Sequence, residues 1–442
     1  MLPILHPSAR SARPAPLTVS SPDHRRRPQP CSVPSESMTF DVARVRGLVP
    51  ALGDGWAHLD GPTGMQVPEQ VATAVSSALR APVSRPGGVF PASLRGGAIV
   101  EAARRAVGDL VGADPKGVVL GPGPAPLLER LADALGSEWS LGDEVVVSRL
   151  DDLANVAPWE RAAQRAGGRV LTAEIDVETC ELPSWQYDEL LGERTRAVAV
   201  TAACPAIGTR TEVAAIARKV HALPARSTGV EPLLVVDATA AAPYLPLDLD
   251  TMGADVMVLS AAAWGGPPVG ALVFRTPDLL DRLPAASLDA SARGPERLEV
   301  GDAPWALLAG LVASIDYLAE LDDRADGPRR DKVLTSMSSV RSHQDDLTAY
   351  LVSELRFLPG VMVIGEPPRR IPVVAFTVAG RTAREVAERV AEHGVCVVTD
   401  TGDSGALEVL GGAEVGGVVR VGLAHYSTRA EIDTLVSALA RL

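Results

Sequence analysis

The central part of the chain alternates short runs of apolar, β-branched residues with segments of helical pattern. The predicted strands are Val118–Gly121, Glu144–Ser148, Arg169–Ala173, Ala197–Thr201, Leu233–Asp237, Asp255–Ser260 and Gly270–Phe274. The predicted helices between them lie near Pro124–Leu135, Ala157–Ala166, Trp185–Leu191 and Glu212–His221. Strands that are apolar throughout and separated by helices are typical of a mostly parallel sheet covered on both faces. The predicted fold class is therefore α/β, with ligands expected at the carboxyl ends of the strands.

The regions on either side of this alternation have a different order. Ahead of it, helices are predicted at Asp41–Leu52 and Ile99–Gly112, and His58–Thr63 is predicted to be a strand running into a turn. After about Trp305, the predicted helices are Ala306–Leu321, Asp331–Phe357, Ala383–His393 and Arg429–Leu442, and the predicted strands are Val361–Ile364, Val373–Thr377, Val395–Val398 and Val418–Gly422. These patterns predict an N-terminal segment at residues 38–60, a large domain at 61–305 and a small α+β domain at 306–442.

The first 37 residues are rich in proline, serine and arginine and have no apolar periodicity. Such a segment cannot bury enough surface to offset the entropy of ordering it, so we predict a disordered tail. A transit peptide is an alternative, and translation from Met38 is another. We favour the tail or the later start over the transit peptide.

Composition excludes several classes of function. The net charge of −13 gives no basic surface for nucleic acid, and no apolar run is long enough to span a membrane. The four cysteines (Cys31, Cys180, Cys204 and Cys396) form no CxxC pair, and the seven histidines show no metal-binding spacing. We therefore predict no metal site, no nucleic-acid or membrane partner, and a cytoplasmic location.

Several stretches resemble, in order and over nearly all of residues 40–442, the class V aminotransferase and cysteine desulfurase family. They are FPASLRGG (90–97), LDDLANVAPW (150–159), the segment LVVDATAAAPYLPLDLDTMGADVMVLSAAAWGGPPVGALVF (234–274), RLEVGDAP (297–304) and VVRVGLAHYSTRAEIDTLVSAL (418–439). The resemblance implies the fold of the fold-type-I enzymes that use pyridoxal phosphate (PLP). It also implies a homodimer in which each site borrows residues from its neighbour.

Some positions keep the residue that the resemblance implies. Asp237 falls where the family places the carboxylate beside the pyridinium nitrogen, although an aspartate there could also cap the following turn. Ser260 falls on a phosphate-side hydroxyl. Arg420 matches the arginine that binds a substrate carboxylate, which suggests a small carboxylate ligand; a structural salt bridge is its alternative. Arg95 is a weaker candidate for lining the cleft.

Other positions have lost their chemistry. The lysine that forms the Schiff base would fall on Ala263, whose methyl group can neither attack an aldehyde nor move a proton. None of the three lysines in the chain is predicted to reach the site. The stacking histidine falls on Asp152 and the asparagine facing the phenolic oxygen falls on Pro205. The phosphate threonine of the neighbouring subunit falls on Asp302.

Two loops also depart from the family pattern. The phosphate loop reads Gly121-Pro122-Gly123-Pro124-Ala125-Pro126, in which each proline removes a backbone N–H donor. The stretch VVTDTGDSGALEVL (397–410), which corresponds to the loop of the desulfurase nucleophile, has no cysteine, and Cys396 just before it is predicted to be a buried structural thiol. Desulfurase activity is not expected.

Three hypotheses follow from these residues. The first is a family member without aldimine catalysis that binds a ligand or a partner. The second is a PLP enzyme acting on an amino acid with the cofactor held non-covalently. The third is a different small-molecule enzyme that uses Asp152, Asp237 and Asp302 as acids or bases, one of them with a raised pKa. Site chemistry favours the first.

Overall fold

The computed structural model describes residues 40–223, 231–284, 287, 289, 291–403 and 405–442. The predicted tail at residues 1–37 and the alternative start at Met38 lie outside the described residues. The strands are β1 Ala57–His58, β2 Val118–Gly121, β3 Glu144–Ser148, β4 Arg169–Ala173, β5 Thr195–Thr201, β6 Leu233–Asp237, β7 Val256–Ser260, β8 Gly270–Phe274, β9 Val361–Ile364, β10 Val373–Val378, β11 Val395–Cys396, β12 Val398–Asp400 and β13 Val418–Gly422. The α-helices are α1 Val42–Gly47, α2 Glu69–Arg80, α3 Pro91–Val111, α4 Pro124–Gly136, α5 Leu153–Ala166, α6 Tyr187–Leu190, α7 Val213–Val220, α8 Leu249–Met252, α9 Asp278–Arg282, α10 Trp305–Ala319, α11 Arg329–Phe357, α12 Ala383–Ala391, α13 Gly405–Val409 and α14 Arg429–Leu439.

The large sheet has seven strands in the order β2-β8-β7-β6-β5-β3-β4. The five strands from β7 to β4 run parallel, and β8 lies antiparallel between β7 and β2. The α/β class and the mostly parallel sheet are therefore confirmed.

Helices cover this sheet on both faces, which explains why its strands are apolar throughout. Along β6, the side chain of Val235 packs on one face with Leu128 of α4 and Trp159 of α5. Its neighbours Leu234 and Val236 pack on the other face with residues of α3, α7 and α10. Alternate residues of one strand thus enter two different cores, and both sets must be apolar.

The smaller sheet is antiparallel, in the order β12-β13-β10-β9, and packs against α11, α12 and α14. The N-terminal strand β1 pairs in parallel with β11, and Asp60 bridges Gly422 of β13. The first strand of the chain therefore joins the C-terminal elements, and residues 40–442 form one compact unit. The predicted boundary at residue 305 stays a prediction.

Most predicted elements lie within a few residues of the observed ones, but three differ, and some observed helices were not predicted. The helix predicted at Asp41–Leu52 ends at Gly47, because Pro50 lacks an N–H and begins a separate 3₁₀ turn at Pro50–Asp54. Helix α3 starts at Pro91, well before Ile99, since proline is favoured in the first turn. The strand predicted at Val395–Val398 is split into β11 and β12. Helices α2, α8, α9 and α13 were not predicted.

Candidate functional site

A cavity of about 320 Å³ opens at the carboxyl ends of the central parallel strands. Thr201, Asp237 and Ser260 line it from the ends of β5, β6 and β7. The turn Gly61–Gly64, the start of α4 and the small-sheet residues Ile371 and Val373 form the other walls. The cavity therefore lies where the strand pattern predicted a ligand site.

Asp237 is buried in the floor of this cavity, with 7% of its surface exposed. The backbone N–H of Thr239 donates to its Oδ1 at 2.8 Å, which is the turn-capping interaction that the sequence offered as an alternative. The Asp237 side chain therefore caps the turn and also lines the cavity. Burial raises the pKa of the Asp237 carboxyl above its ordinary value, and the charge of Asp152 raises it further.

Ala263 stands in the cavity wall on a short 3₁₀ turn, Ala261–Trp264, that follows β7. The turn is anchored by Trp264, whose indole N–H donates to the Ser314 hydroxyl at 3.1 Å inside the core. All three lysines of the chain are described, and none of them lines the cavity. The position that the resemblance assigns to the Schiff-base lysine thus faces Asp237 and Ser260 and carries a methyl group.

Asp152 and Pro205 line the same cavity. Asp152 is the N-cap of α5, where its Oδ1 accepts from the backbone N–H of Ala154 at 2.9 Å. This bond satisfies one of the free donors at the helix start, so the aspartate has a structural role in addition to facing the cavity. The carbonyl oxygen of Pro205 accepts a hydrogen bond from Arg420 Nη1 at 3.2 Å.

The start of α4 forms the wall where the resemblance places the cofactor phosphate. Pro124 and Ala125 line the cavity there, and Gly123 is the N-cap with an extended backbone. Because Pro124 and Pro126 occupy the first turn, two of the N–H groups that a helix start usually offers to an anion do not exist. Two of the three N–H donors that the sequence predicted to be missing therefore belong to the first turn of α4.

Three predicted residues do not reach the cavity. Arg420 lies beyond Pro205, where it forms an ion pair with Asp400 (3.3 Å). Arg95 is exposed and donates to the Pro82 carbonyl at 2.5 Å. Asp302 is 72% exposed and lies 3.8 Å from Arg85. Arg95 and Arg420 are not among the described lining residues of this cavity, because tertiary packing directs both side chains to other partners. Their contact with a ligand stays a prediction.

Sequence reasoning missed two buried groups beside the cavity. Asp151 accepts hydrogen bonds from the Ser148 hydroxyl and from Asn155 Nδ2 (2.6 Å), and burial raises its pKa to about 7. Tyr244 lines the cavity, and its buried hydroxyl has no hydrogen-bond partner among the described residues. Neither had a sequence signal, because burial arises from packing between distant segments.

The three cysteines that the structure describes are buried or half-buried. Cys180, Cys204 and Cys396 are all free. Cys396 is half-buried in β11, less deeply than predicted, and burial raises its pKa, with the charges of Asp60 and Asp54 adding to the effect. Burial raises the pKa of Cys204 to about 11. A thiol with a raised pKa is a poor nucleophile at neutral pH.

The described part of the chain shows neither a metal-binding cluster nor a membrane-spanning helix. No group of three or more histidine, cysteine, aspartate or glutamate residues there is arranged to hold a metal ion. In the same residues, no helix combines the length and the apolar character that crossing a bilayer requires.

Known proteins resemble the chain across the described fold. The profile of the class-V aminotransferases matches residues 57–435. An uncharacterized protein of Mycobacterium tuberculosis (strain CDC 1551 / Oshkosh) is 50% identical over 405 residues, covering 92% of this chain and 100% of that protein. A cysteine desulfurase of Enterobacter sp. (strain 638) is 27% identical over 429 residues, covering 92% of this chain and 99% of its own. The crystal structure of the cysteine desulfurase CsdA of Escherichia coli shares the fold, with a TM-score of 0.78 at 24% identity over 91% of this chain and 98% of that one.

These matches define a fold-type-I protein related to the cysteine desulfurases. The chain belongs to the class-V aminotransferase family.

The family implies pyridoxal phosphate, whose ring nitrogen and phosphate both need partners in the cavity. Asp237 suits a pyridinium nitrogen. The described lining contains two carboxylates, Asp152 and Asp237, and no lysine, arginine or histidine. A phosphate dianion would gain no cationic partner among these residues, and it would meet two carboxylates and a helix start that has lost two N–H donors. The residues of this chain do not fit the cofactor.

Proposed function

We propose that this family member performs no aldimine chemistry and instead uses the Asp237 cavity to bind a small neutral or cationic molecule. The single observation that carries the proposal is Ala263, which replaces an amine with a methyl group in the wall beside Asp237. Without an amine, the described lining offers no lysine to form an aldimine or to move an α-proton. The cysteine pattern supports a cytoplasmic location for this role.

The charge of the cavity supports the ligand class. Asp152 and Asp237 are the carboxylates of its described lining, which contains no lysine, arginine or histidine. An amine or an N–H group of a ligand would be held by these carboxylates, while Ile371, Val373 and Ala240 offer apolar contact. The carboxylate ligand suggested by Arg420 stays a prediction, since that side chain is paired with Asp400 outside the cavity.

The first experiment uses the purified protein with added pyridoxal phosphate. After dialysis, we expect no visible absorbance band and, after borohydride reduction, no mass increase of the protein. A ligand that binds the native state raises the melting temperature, so differential scanning fluorimetry gives a second readout. A yellow protein that keeps its colour through dialysis would contradict the proposal.

A second experiment restores the amine. We expect Ala263→Lys to hold no cofactor through dialysis, because the α4 start and Asp152 still disfavour phosphate. Ala262→Lys, also in the cavity wall, is the matched control for an amine at the wrong position. The triple variant Ala263→Lys/Asp152→His/Pro205→Asn is expected to bind more tightly than Ala263→Lys alone. Retention by Ala263→Lys alone would show that lysine loss was the whole defect.

A second candidate function, acid–base catalysis without the cofactor, is favoured by the raised pKa of Asp237 in the cavity floor. A carboxyl with a raised pKa keeps its proton to a higher pH than an ordinary aspartate and can donate it as a general acid. For any substrate found by metabolite screening, Asp237→Asn should abolish turnover while Asp152→Asn should only reduce it. Unchanged turnover in Asp237→Asn would end this candidate.

A further inference from the structure

A second cavity, of about 370 Å³, shares no lining residue with the Asp237 cavity. It is bounded by the loop between β5 and β6, by helix α11 and by the segment ahead of β10. Four arginines line it: Arg210, Arg218, Arg341 and Arg369. Glu212 is the acidic residue of the described lining, so the cavity is basic in a chain whose net charge is −13.

The backbone holds two of these arginines side by side. The N–H of Arg210 donates to the carbonyl of Arg369 at 3.0 Å, and Thr209 forms an antiparallel bridge with Arg370. Arg210 is itself bridged to Ala203 within its own loop. The backbones of these two arginines are therefore held next to each other by tertiary hydrogen bonds, so two positive side chains start from neighbouring positions.

The acidic groups nearby neutralise only part of this charge. Arg369 pairs with Glu181 (3.1 Å) and with Glu212, and Arg341 lies 3.5 Å from Asp345. The side chains of Arg210 and Arg218 make no ion pair and no hydrogen bond within the described chain. Burial lowers the pKa of Arg210, and the charges of Arg341 and Arg369 lower it further, with Asp345 opposing them.

Backbone and hydroxyl donors add to the arginines. Helix α7 begins in the cavity wall, and the N–H groups of Val213 and Ala214 have no acceptor within the helix. The buried hydroxyl of Thr211, which also lines the cavity, has no hydrogen-bond partner in the described chain. Arginines together with a helix start are the groups that proteins use for phosphoryl oxygens.

We propose that this cavity binds a small molecule that carries a phosphoryl group. Arg210, Arg218 and the start of α7 hold the phosphoryl oxygens. The partly exposed side chains of Leu245, Pro246 and Met252 pack against the organic part. The site is independent of the proposed function of the Asp237 cavity.

Isothermal titration calorimetry of the full chain at constant ionic strength tests the proposal with three probes. Phenyl phosphate should bind more tightly than inorganic phosphate, because its ring reaches the apolar wall, and benzoate should bind more weakly than both. Arg210→Gln should weaken phenyl phosphate binding at least about tenfold, and Arg218→Gln should weaken it too. Arg384→Gln, an exposed arginine (87%) paired with Glu388, is the control that should bind like the wild type.

Several outcomes would overturn the proposal: no phosphate binding up to about 10 mM, benzoate binding as well as phenyl phosphate, or unchanged affinity in both arginine variants. Arg218 is exposed on α7, so its variant tests the site even where Arg210→Gln unfolds. If pyridoxal phosphate raises the melting temperature of the wild type but not that of Arg210→Gln, it is binding here. That result separates this site from the Asp237 cavity.

Discussion

Nη2 of Arg420 lies 3.3 Å from Oδ2 of Asp400, while Nη1 of the same guanidinium donates to the Pro205 carbonyl at 3.2 Å. The arginine thus ties β13 and β12 of the small sheet to the loop that follows β5. The side chains of the pair are only 16% and 25% exposed, so water screens the pair less than it would on an open surface.

The first prediction concerns this pair. Arg420→Gln should lower the free energy of unfolding by about 1–3 kcal/mol, because Asp400 and the Pro205 carbonyl lose their partner. Urea denaturation of Arg420→Gln, Asp400→Asn and the double variant gives the coupling energy. If the two single effects simply add, the pair is not coupled, and Arg420 is free for a ligand carboxylate.

The second prediction concerns the pH dependence of stability through Asp151. Its pKa is about 7 in the folded protein against an ordinary value of 3.8. Because the folded state holds the proton more tightly than the unfolded chain, this carboxyl disfavours folding increasingly as pH rises from about 4 to about 7. Asp151→Asn, whose amide can donate to Ser148, removes that effect.

Urea denaturation between pH 5 and pH 8 checks this expectation. The difference in unfolding free energy between Asp151→Asn and the wild type should grow with pH, to at most about 4 kcal/mol. Asp346→Asn, at an exposed position on α11, is the control and should follow the wild type. A difference that does not change with pH would mean that Asp151 is ionised without penalty in the folded protein.

The third prediction concerns the turn that carries Ala263. Ser314 accepts from the Trp264 indole and donates to the Leu311 carbonyl at 2.8 Å. Ser314→Ala leaves a buried indole N–H without a partner and should cost about 1–3 kcal/mol in chemical denaturation. Ser338→Ala, which removes an exposed hydroxyl bonded to Leu334, should change stability by less than about 0.5 kcal/mol. Equal losses in the two variants would argue against a special role for the Trp264 anchor.

The fourth prediction concerns the homodimer, which the resemblance implies. Val89, Phe90 and Leu94 are 94%, 51% and 62% exposed around the start of α3, an apolar group that a partner subunit would cover. Size-exclusion chromatography with light scattering should show a dimer, and Leu94→Glu should shift it toward monomer. Phe357→Glu, at an 80% exposed residue elsewhere, should leave the dimer intact. A wild-type monomer at micromolar concentration would refute the expectation.

The sheet could be predicted because each strand is apolar on both faces, and β2, β3, β4, β6 and β8 begin and end where the sequence placed them. Asp237, Ser260 and Ala263, which the resemblance singled out, line one cavity because β6 and β7 end beside each other and Ala263 follows the end of β7. Arg420 makes the salt bridge that the sequence offered as its alternative, and its partners Asp400 and Pro205 lie in distant segments that no local pattern identifies. Asp151 escaped notice because its raised pKa comes from burial, which no local pattern records.

The pairing of Ala57 with Val395 and of His58 with Cys396 has a consequence for synthesis of the chain. The ribosome makes the first of these strands more than three hundred residues before its partner. At ordinary translation speeds that interval is on the order of tens of seconds. During this time β1 has no partner strand, so the two-stranded sheet of β1 and β11 cannot form until the C-terminal segment emerges from the ribosome.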